Sequence, residues 1–433
     1  MKEKIKIVYS WIGPRGPIIN TEVPTLLSLN AVAEGVASKS HYFWADDLYW
    51  RVFHTNEDFT LASAFAIEHE PFIFPFTLAW RIPFSNYFCP GSGLLEFSHT
   101  PDHITHHVRM SNGYFLLDMT AEAFITDFHL MHIHSYFSHA NNIPMGKIIY
   151  LTGCMNAQEV YDNWCTKNNI PNKPNDRMKL FSFPISQHSI YTNRHLIVEP
   201  EYNTEVVPEK LFLSFNRRFR IHRTTLALAF QKYNLLDRSY VSMCKVDPEN
   251  SLMSFENQIN TNYDTRYNFT SADVNGLLEK LPLELDGETR INQMCQDFDG
   301  AARNFYQNSL LSIVTETNFE NDELTLTEKA FKPAKEKHPF IIIGVKGSLK
   351  AMRDMGFKTF SEFWDESYDD EDEPRYRLWK IMELCREIAT WDNEKIIDFK
   401  RRVKPIVEHN FNTVFTDTAR VMSDNIYNIL MNK

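Results

Sequence analysis

Four arginines fall within seven residues of Leu211–Arg223, LFLSFNRRFRIHR: Arg217, Arg218, Arg220 and Arg223. The apolar run before them reads as a buried strand reaching Asn216, and the pattern after them as a helix. A guanidinium presents forked donors that match phosphate oxygens. A helix start adds backbone N–H groups and the positive end of a dipole. Basic residues are unfavourable at that end of a helix unless an anion faces them. The segment is therefore read as an anion clamp; the plainer alternative is a solvated basic turn with surface ion pairs.

A second segment, Leu310–Gly347, LLSIVTETNFENDELTLTEKAFKPAKEKHPFIIIGVKG, repeats the plan. An apolar strand ends at Thr315 and Glu316, an acidic loop follows, and Thr327-Glu328-Lys329 opens a helix ahead of another strand and Gly loop. Thr327 can cap that helix. Lys329 in the first turn again asks for an anion. Glu328 suits a ribose diol, by accepting hydrogen bonds from its hydroxyls, and Lys329 suits a diphosphate.

These segments need strands and helices to hold them. Lys4–Ser10, Gly113–Leu117 and Lys147–Thr152 read as strands, with helices expected over 22–38, Thr120–Phe137 and Gln158–Lys167. His41–Trp44 is a further short strand candidate, and 68–100 is aromatic, Pro-rich and poor in helix signals. Residues 168–208 carry many Pro and Asn and read as a connection. A second alternation follows: strands at Lys210–Phe215, Ser239–Met243, Leu310–Thr315 and Pro339–Gly344, with helices at Arg223–Tyr233, Ala301–Asn308 and Thr327–Lys337. The expected fold is α/β, two Rossmann-type domains with mostly parallel sheets and a cleft between them. Ligands of such sheets lie at the carboxyl ends of the strands.

TEK opening a helix, after ETNFEN and before a strand and Gly loop, resembles the donor-binding signature of the GT-B α1,3-fucosyltransferases: FENS, a short acidic loop, then Y-x-TEK. FLSFNRRFRIHR resembles that family's upstream strand-to-helix turn. The resemblance implies a GT-B-like fold and a nucleoside diphosphate sugar, UDP- or GDP-linked, as co-substrate, with no cofactor. The implied donor-binding set is Asn216, Arg217, Arg218, Arg220, Arg223, Thr315, Glu316, Thr327, Glu328 and Lys329. Within it Glu328 takes the ribose, Lys329 the diphosphate and the arginines the phosphates. The literal FEN at 319–321 sits too close to TEK for that pattern, and Glu316 too far. Glu320 and Glu328 also stand at the spacing of the paired glutamates of retaining GT-B enzymes. The wording TEKAFKP through KHPFIIIGVKGSLKAMRDMGFKTFSEFWDESYD is similar to glycosyltransferases of tailed phages, some of which modify hydroxymethylated DNA bases.

On that reading residues 205–410 hold the donor, 1–200 the acceptor, and a last helix over 411–433 crosses back onto the first domain. An inverting transfer needs a base for the acceptor hydroxyl and cations on the leaving diphosphate. Asp118, just past GYFLL, is the first choice of base, with Glu122 one turn on and Asp46 or Asp47 behind. The loop Trp11–Pro17, with Gly13 and Arg15, is the candidate for closing over the acceptor. The acceptor is a hydroxyl, either on hydroxymethylated cytosine in phage DNA or on a glycan or small molecule. A non-catalytic nucleotide-sugar binding module is the alternative of another class.

Other signals point elsewhere or nowhere. His99, His103, His106 and His107, and His129, His132, His134 and His139, form two clusters, read as polar or buried structural residues rather than metal ligands. Asp297-Phe298-Asp299 lacks the apolar strand that a metal-dependent transferase requires. Asp370-Glu371-Asp372 lies in an acidic run, Asp365–Glu373, read as a solvated loop. No metal is expected. There is no GxGxxG and no Walker loop, which sets aside dehydrogenases and P-loop NTPases. With a net charge of −11, the chain as a whole does not advertise nucleic acid as a partner. The six cysteines, 89, 154, 165, 244, 295 and 385, form no CxxC pair and suit a reducing compartment. No apolar window reaches membrane-spanning length, and no signal peptide is read at the start. The expected location is cytoplasmic, the host's cytoplasm for a phage protein.

Overall fold

Strands buried on both faces read as unbroken apolar runs, and two sets of them here build two parallel sheets. The structure, a computed structural model, describes residues 4–9, 12–13, 16–17, 52–63, 67, 70–77, 102–120, 125–247, 250–254, 265–285 and 302–431. The chain divides into two units, Met1–Ile185 with Asp417–Lys433, and Ser186–Thr416. It is an α/β protein, each unit a parallel sheet with helices.

The first unit holds β1 (Ile5–Tyr9), β2 (Phe59–Ser63), β3 (Phe72–Thr77), β4 (Gly113–Met119), β5 (Ile148–Thr152) and β6 (Lys179–Ser182), in the order β2-β1-β3-β4-β5-β6. All neighbours are parallel. β4 and β5 are buried along their whole length. Side chains alternate between faces. Phe115, Leu117, Ile148 and Tyr150 pack with α1 (Asp102–Met110), α2 (Asp127–His134) and α3 (Ala157–Lys167). Tyr114, Leu116, Ile149 and Leu151 share the opposite core with Ala419, Met422, Ile426, Tyr427 and Leu430 of the last helix, Thr418–Met431. Asn56 fastens that helix, its Nδ2 donating to Ser423 Oγ and Asp424 Oδ1 at 2.9 Å each.

Two local readings are corrected here, and a third is filled in. β3 lies inside 68–100, the stretch read as aromatic, Pro-rich and poor in helix signals, and Pro75 interrupts its pattern. The register with β1 ends at Ile73, so the missing N–H of Pro75 costs that neighbour no bond. The helix expected from Thr120 starts instead at Asp127, behind the N-cap Thr126. The single helix expected over 411–433 is two: one ends at Thr413, and Asp417 caps the next by accepting the Arg420 N–H at 3.0 Å.

The second unit holds β7 (Lys210–Ser214), β8 (Ser239–Val241), β9 (Ser309–Thr315) and β10 (Phe340–Ile343), parallel, in the order β8-β7-β9-β10. Its helices include α4 (Ile221–Lys232), α5 (Glu328–Lys335), α6 (Ser348–Asp354), α7 (Pro374–Ile388) and α8 (Asn393–Thr413). The chain leaves β7 to one side for β8 and returns on the other side as β9. The strand order therefore reverses at β7, and loops from adjacent strands diverge there to leave room for a ligand.

The acidic run is not simply solvated. Asp369 is 3% exposed and accepts the N–H groups of Leu349 and Lys350, both at 2.9 Å, at the start of α6. Glu366 accepts the Phe360 N–H, and Glu373 caps α7 through Arg375 and Tyr376. Asp369 and Glu373 satisfy orphan N–H groups at helix starts, Asp369 from a buried position, and Glu366 satisfies one in a turn.

Candidate functional site

The floor of the site is the pair of strand ends at that reversal. Asn216, two residues past β7, is 3% exposed. Its Oδ1 accepts the Thr315 hydroxyl at 2.7 Å, its N–H donates to Ser242 Oγ at 2.9 Å, and its Nδ2 donates to Ser214 Oγ at 3.1 Å. The side chain thus joins the ends of β7 and β9, and the main-chain N–H of the same residue ties them to the loop after β8.

The arginine turn separates into frame and surface. Arg223, in the first turn of α4, is 4% exposed. Its Nη2 donates to the carbonyls of Thr315 and Glu316 at 3.1 Å each, and its Nη1 to that of Arg218 at 3.2 Å. Burial, then the neighbouring Arg220, push its pKa down to about 10. His222 is 1% exposed and its Nε2 bonds the Glu316 carbonyl at 2.8 Å. A carbonyl accepts only, so Nε2 carries the proton and Nδ1 is a bare acceptor. Burial, then Arg223, hold the ring neutral with a pKa of about 3. Among the described residues neither His222 Nδ1 nor Arg223 Nε has a hydrogen-bond partner. Arg217, Arg218 and Arg220 are half-buried. Arg220 occupies the N-cap position of α4, where no side chain caps the helix.

Glu316 is fully buried. Its Oε1 accepts the Thr327 N–H at 3.0 Å, and its Oε2 accepts the Thr327 hydroxyl at 2.6 Å and the Thr317 N–H at 3.3 Å. Burial raises its pKa while Lys329 pulls the other way. Thr327 stands at the N-cap of α5, yet its side chain makes no capping bond, since the hydroxyl is given to Glu316. Lys329 Nζ donates to Thr327 Oγ1 at 3.1 Å and to Glu328 Oε1 at 3.0 Å; both side chains of this ion pair are 27% exposed. Burial pushes the Glu328 carboxyl up, but Lys329, with Lys332, outweighs it and leaves the pKa lowered.

The structure therefore brings the two segments together. Arg220 and Lys329 both act electrostatically on His222, and Arg218, Arg220 and Glu328 on Arg223. Asn216, Thr315, Glu316 and Arg223 are turned inward and act as frame. Arg217, Arg218, Arg220, Thr327, Glu328 and Lys329 remain partly open to a ligand. His222 lay inside LFLSFNRRFRIHR, but nothing in the string distinguished it. Ser214 and Phe319 lay inside the two quoted segments without being given a role, and Ser242 had no local signal.

In the first unit Asp118 is a residue of β4, not of the turn after it, and pairs in register with Thr77 and Leu151. It is 2% exposed, and its Oδ1 accepts the N–H and hydroxyl of Thr120 at 3.1 and 2.8 Å. Gly13 belongs to a two-residue strand, Ile12–Gly13, antiparallel to Gly16–Pro17. Glu122, Arg15, Asp46, Asp47, His99 and Asp297–Asp299 lie outside the described residues. His103, His106 and His107 are on α1; His129, His132 and His134 are on α2. Burial, then a neighbouring histidine, push His129 and His134 down to about 4. Among the described residues no three His, Cys, Asp or Glu are grouped to hold a metal ion, and no helix is long and apolar enough to cross a membrane.

No protein-family model matches the sequence, and no curated protein does. Solved structures with a similar course of chain include the α,α-trehalose 6-phosphate synthase of Burkholderia multivorans, with a TM-score of 0.41 and 9% identity over 84% of this chain and 70% of that one. The UDP-forming synthase of Burkholderia vietnamiensis gives 0.40 and 11% over 84% and 72%. The N-terminal domain of Candida albicans trehalose-6-phosphate phosphatase gives 0.41 and 8% over 95% and 77%.

Proposed function

We propose that the chain is a GT-B-like glycosyltransferase. In this reading residues 205–410 bind a nucleoside diphosphate sugar, 1–200 bind the acceptor, and the last helix, Thr418–Met431, completes the acceptor domain. One observation carries the reading. At the strand reversal of the second unit, a half-buried arginine turn and the Glu328–Lys329 pair converge over the frame of Asn216, Thr315 and Glu316. Half-buried cations gathered at strand carboxyl ends suit a diphosphate.

In the reaction the acceptor oxygen attacks the anomeric carbon, the glycosidic bond to the diphosphate breaks, and the nucleoside diphosphate leaves. Arg217, Arg218, Arg220 and Lys329 meet the charge growing on the leaving oxygens without a metal ion. Glu328 turns from Lys329 to the ribose hydroxyls. Asp118 takes the acceptor proton, and attack from the face opposite the leaving diphosphate inverts the anomeric carbon. The acceptor is a hydroxyl, and the first panel to test comprises hydroxymethylcytosine DNA, glycans and small alcohols.

The test is incubation with UDP- and GDP-sugars while the release of nucleoside diphosphate is followed. Slow hydrolysis of one donor, faster with an acceptor present, is the expected result. Tight binding with no release from any donor would make the chain a binding module instead.

A further inference from the structure

We infer that Arg377 is a positioning residue of the donor site, holding the loop between β9 and α5 against the loop after β10; the inference rests on the donor reading above. Arg377 projects from α7 and is 3% exposed. Its Nη2 donates to the Phe319 carbonyl at 2.9 Å, its Nε to the Gly344 carbonyl at 3.1 Å and its Nη1 to the Glu371 carbonyl at 2.5 Å. All three bonds go to main-chain carbonyls, one each in the loop after β9, the loop after β10 and the segment entering α7. Three separate nitrogens of one planar fork each serve one carbonyl, whereas the three donors of a lysine all sit on a single atom.

A second contact extends the hold to the arginine turn. The Arg377 guanidinium lies over the Phe319 ring, 5.4 Å from its centroid, and that ring packs on His222 at 4.8 Å. His222 in turn bonds the Glu316 carbonyl. Arg377, Phe319, His222 and Glu316 thus form one continuous stack linking β9, α4 and α7. Gly344 completes it by close approach: a Cβ there would stand 2.6 Å from Ser348 Oγ and 3.5 Å from Glu316 Cβ. The stack fixes the loop that carries the chain from Glu316 to Glu328 and Lys329. Without it, that loop samples more conformations and ligand binding must order it again.

The test uses the full chain, a panel of UDP, GDP, ADP and dTDP, and calorimetric titration. Arg377→Lys is expected to raise the Kd of the preferred nucleotide about tenfold at unchanged stoichiometry, with faster hydrogen exchange over residues 317–326. A merely structural loss would lower the binding-competent fraction, and hence the stoichiometry, without moving Kd. Phe319→Leu, which keeps the burial and removes the ring, should move Kd in the same direction if the arginine variant does not fold. Lys329→Ala separates the two readings. Weakened binding in Lys329→Ala beside an unchanged Kd in Arg377→Lys or Phe319→Leu overturns the role of Arg377 alone. A wild-type chain that binds no nucleotide overturns the donor reading and this role together.

Discussion

The carboxylate of Glu316 grips Thr327 twice, accepting its N–H at 3.0 Å and its hydroxyl at 2.6 Å across the loop between β9 and α5. Each oxygen also faces an N–H that can only donate, Thr327's on Oε1 and Thr317's on Oε2, so the bond set suits a carboxylate that only accepts. Glu316→Gln places an amide where one donor faces another. The expected result is a loss of about 1–3 kcal/mol of stability, read as a lower urea midpoint at unchanged slope. An unchanged midpoint would show that Thr327 is held by other means.

On the proposed donor reading, Lys329 is a cation that meets the diphosphate. Lys329→Ala should weaken binding of the nucleoside diphosphate by about 1.5–3 kcal/mol, the worth of a lost charge-assisted contact. Lys350→Ala is the control: that lysine is exposed on α6 and paired with Asp354, so its loss should leave the affinity alone. Equal effects of the two variants would reduce the role of Lys329 to general charge.

Much of this arrangement was legible in the sequence. GYFLL, KIIYLT, KLFLSF, LLSIVT and FIII are continuous apolar runs because their strands, β4, β5, β7, β9 and β10, are buried on both faces. β3 was not assigned within 68–100, where Pro75 breaks the run; a proline inside a strand is placed only once the register of its neighbours is known. The site was legible as residue types but not as directions. Arg217 and Arg223 look alike in the string, yet one turn of α4 buries Arg223 against the end of β9 and leaves Arg217 half-open. Arg377 meets Phe319 from 58 residues away, and no local pattern carries that contact.

Asp118 tests the chemistry on the other unit. Asp118→Asn keeps an oxygen for the Thr120 N–H and hydroxyl but removes the basic carboxylate. If Asp118 is the base, kcat should fall about 10²–10⁴-fold while donor Kd stays within twofold. A kcat within threefold of wild type assigns the base elsewhere, Glu122 being the next residue to substitute.

Acid should destabilise the fold through its buried histidines. His222 is held near a pKa of about 3, and His129, His134 and His338 near about 4, each chiefly by burial. Their ordinary value is 6.5, so below it the unfolded chain binds protons that the folded chain refuses. Stability is therefore complete above about pH 6.5 and falls as the pH drops toward 4, by about 1.4 kcal/mol per pH unit for each fully buried ring. Glu316, Glu366 and Asp369 act in the opposite sense, because burial raises their pKa values and favours folding in acid. A single substitution isolates one ring from this sum. His338 bonds the Ser309 carbonyl through Nε2 at 3.0 Å and Ser312 Oγ through Nδ1 at 2.9 Å, with Lys400 as the charge acting on it. Glutamine can offer one donor and one acceptor at the same place without titrating. Between about pH 6.5 and pH 5 the wild type should lose about 2 kcal/mol more than His338→Gln, read from urea midpoints at both pH values. Equal losses would mean that folding leaves the His338 pKa where the unfolded chain has it.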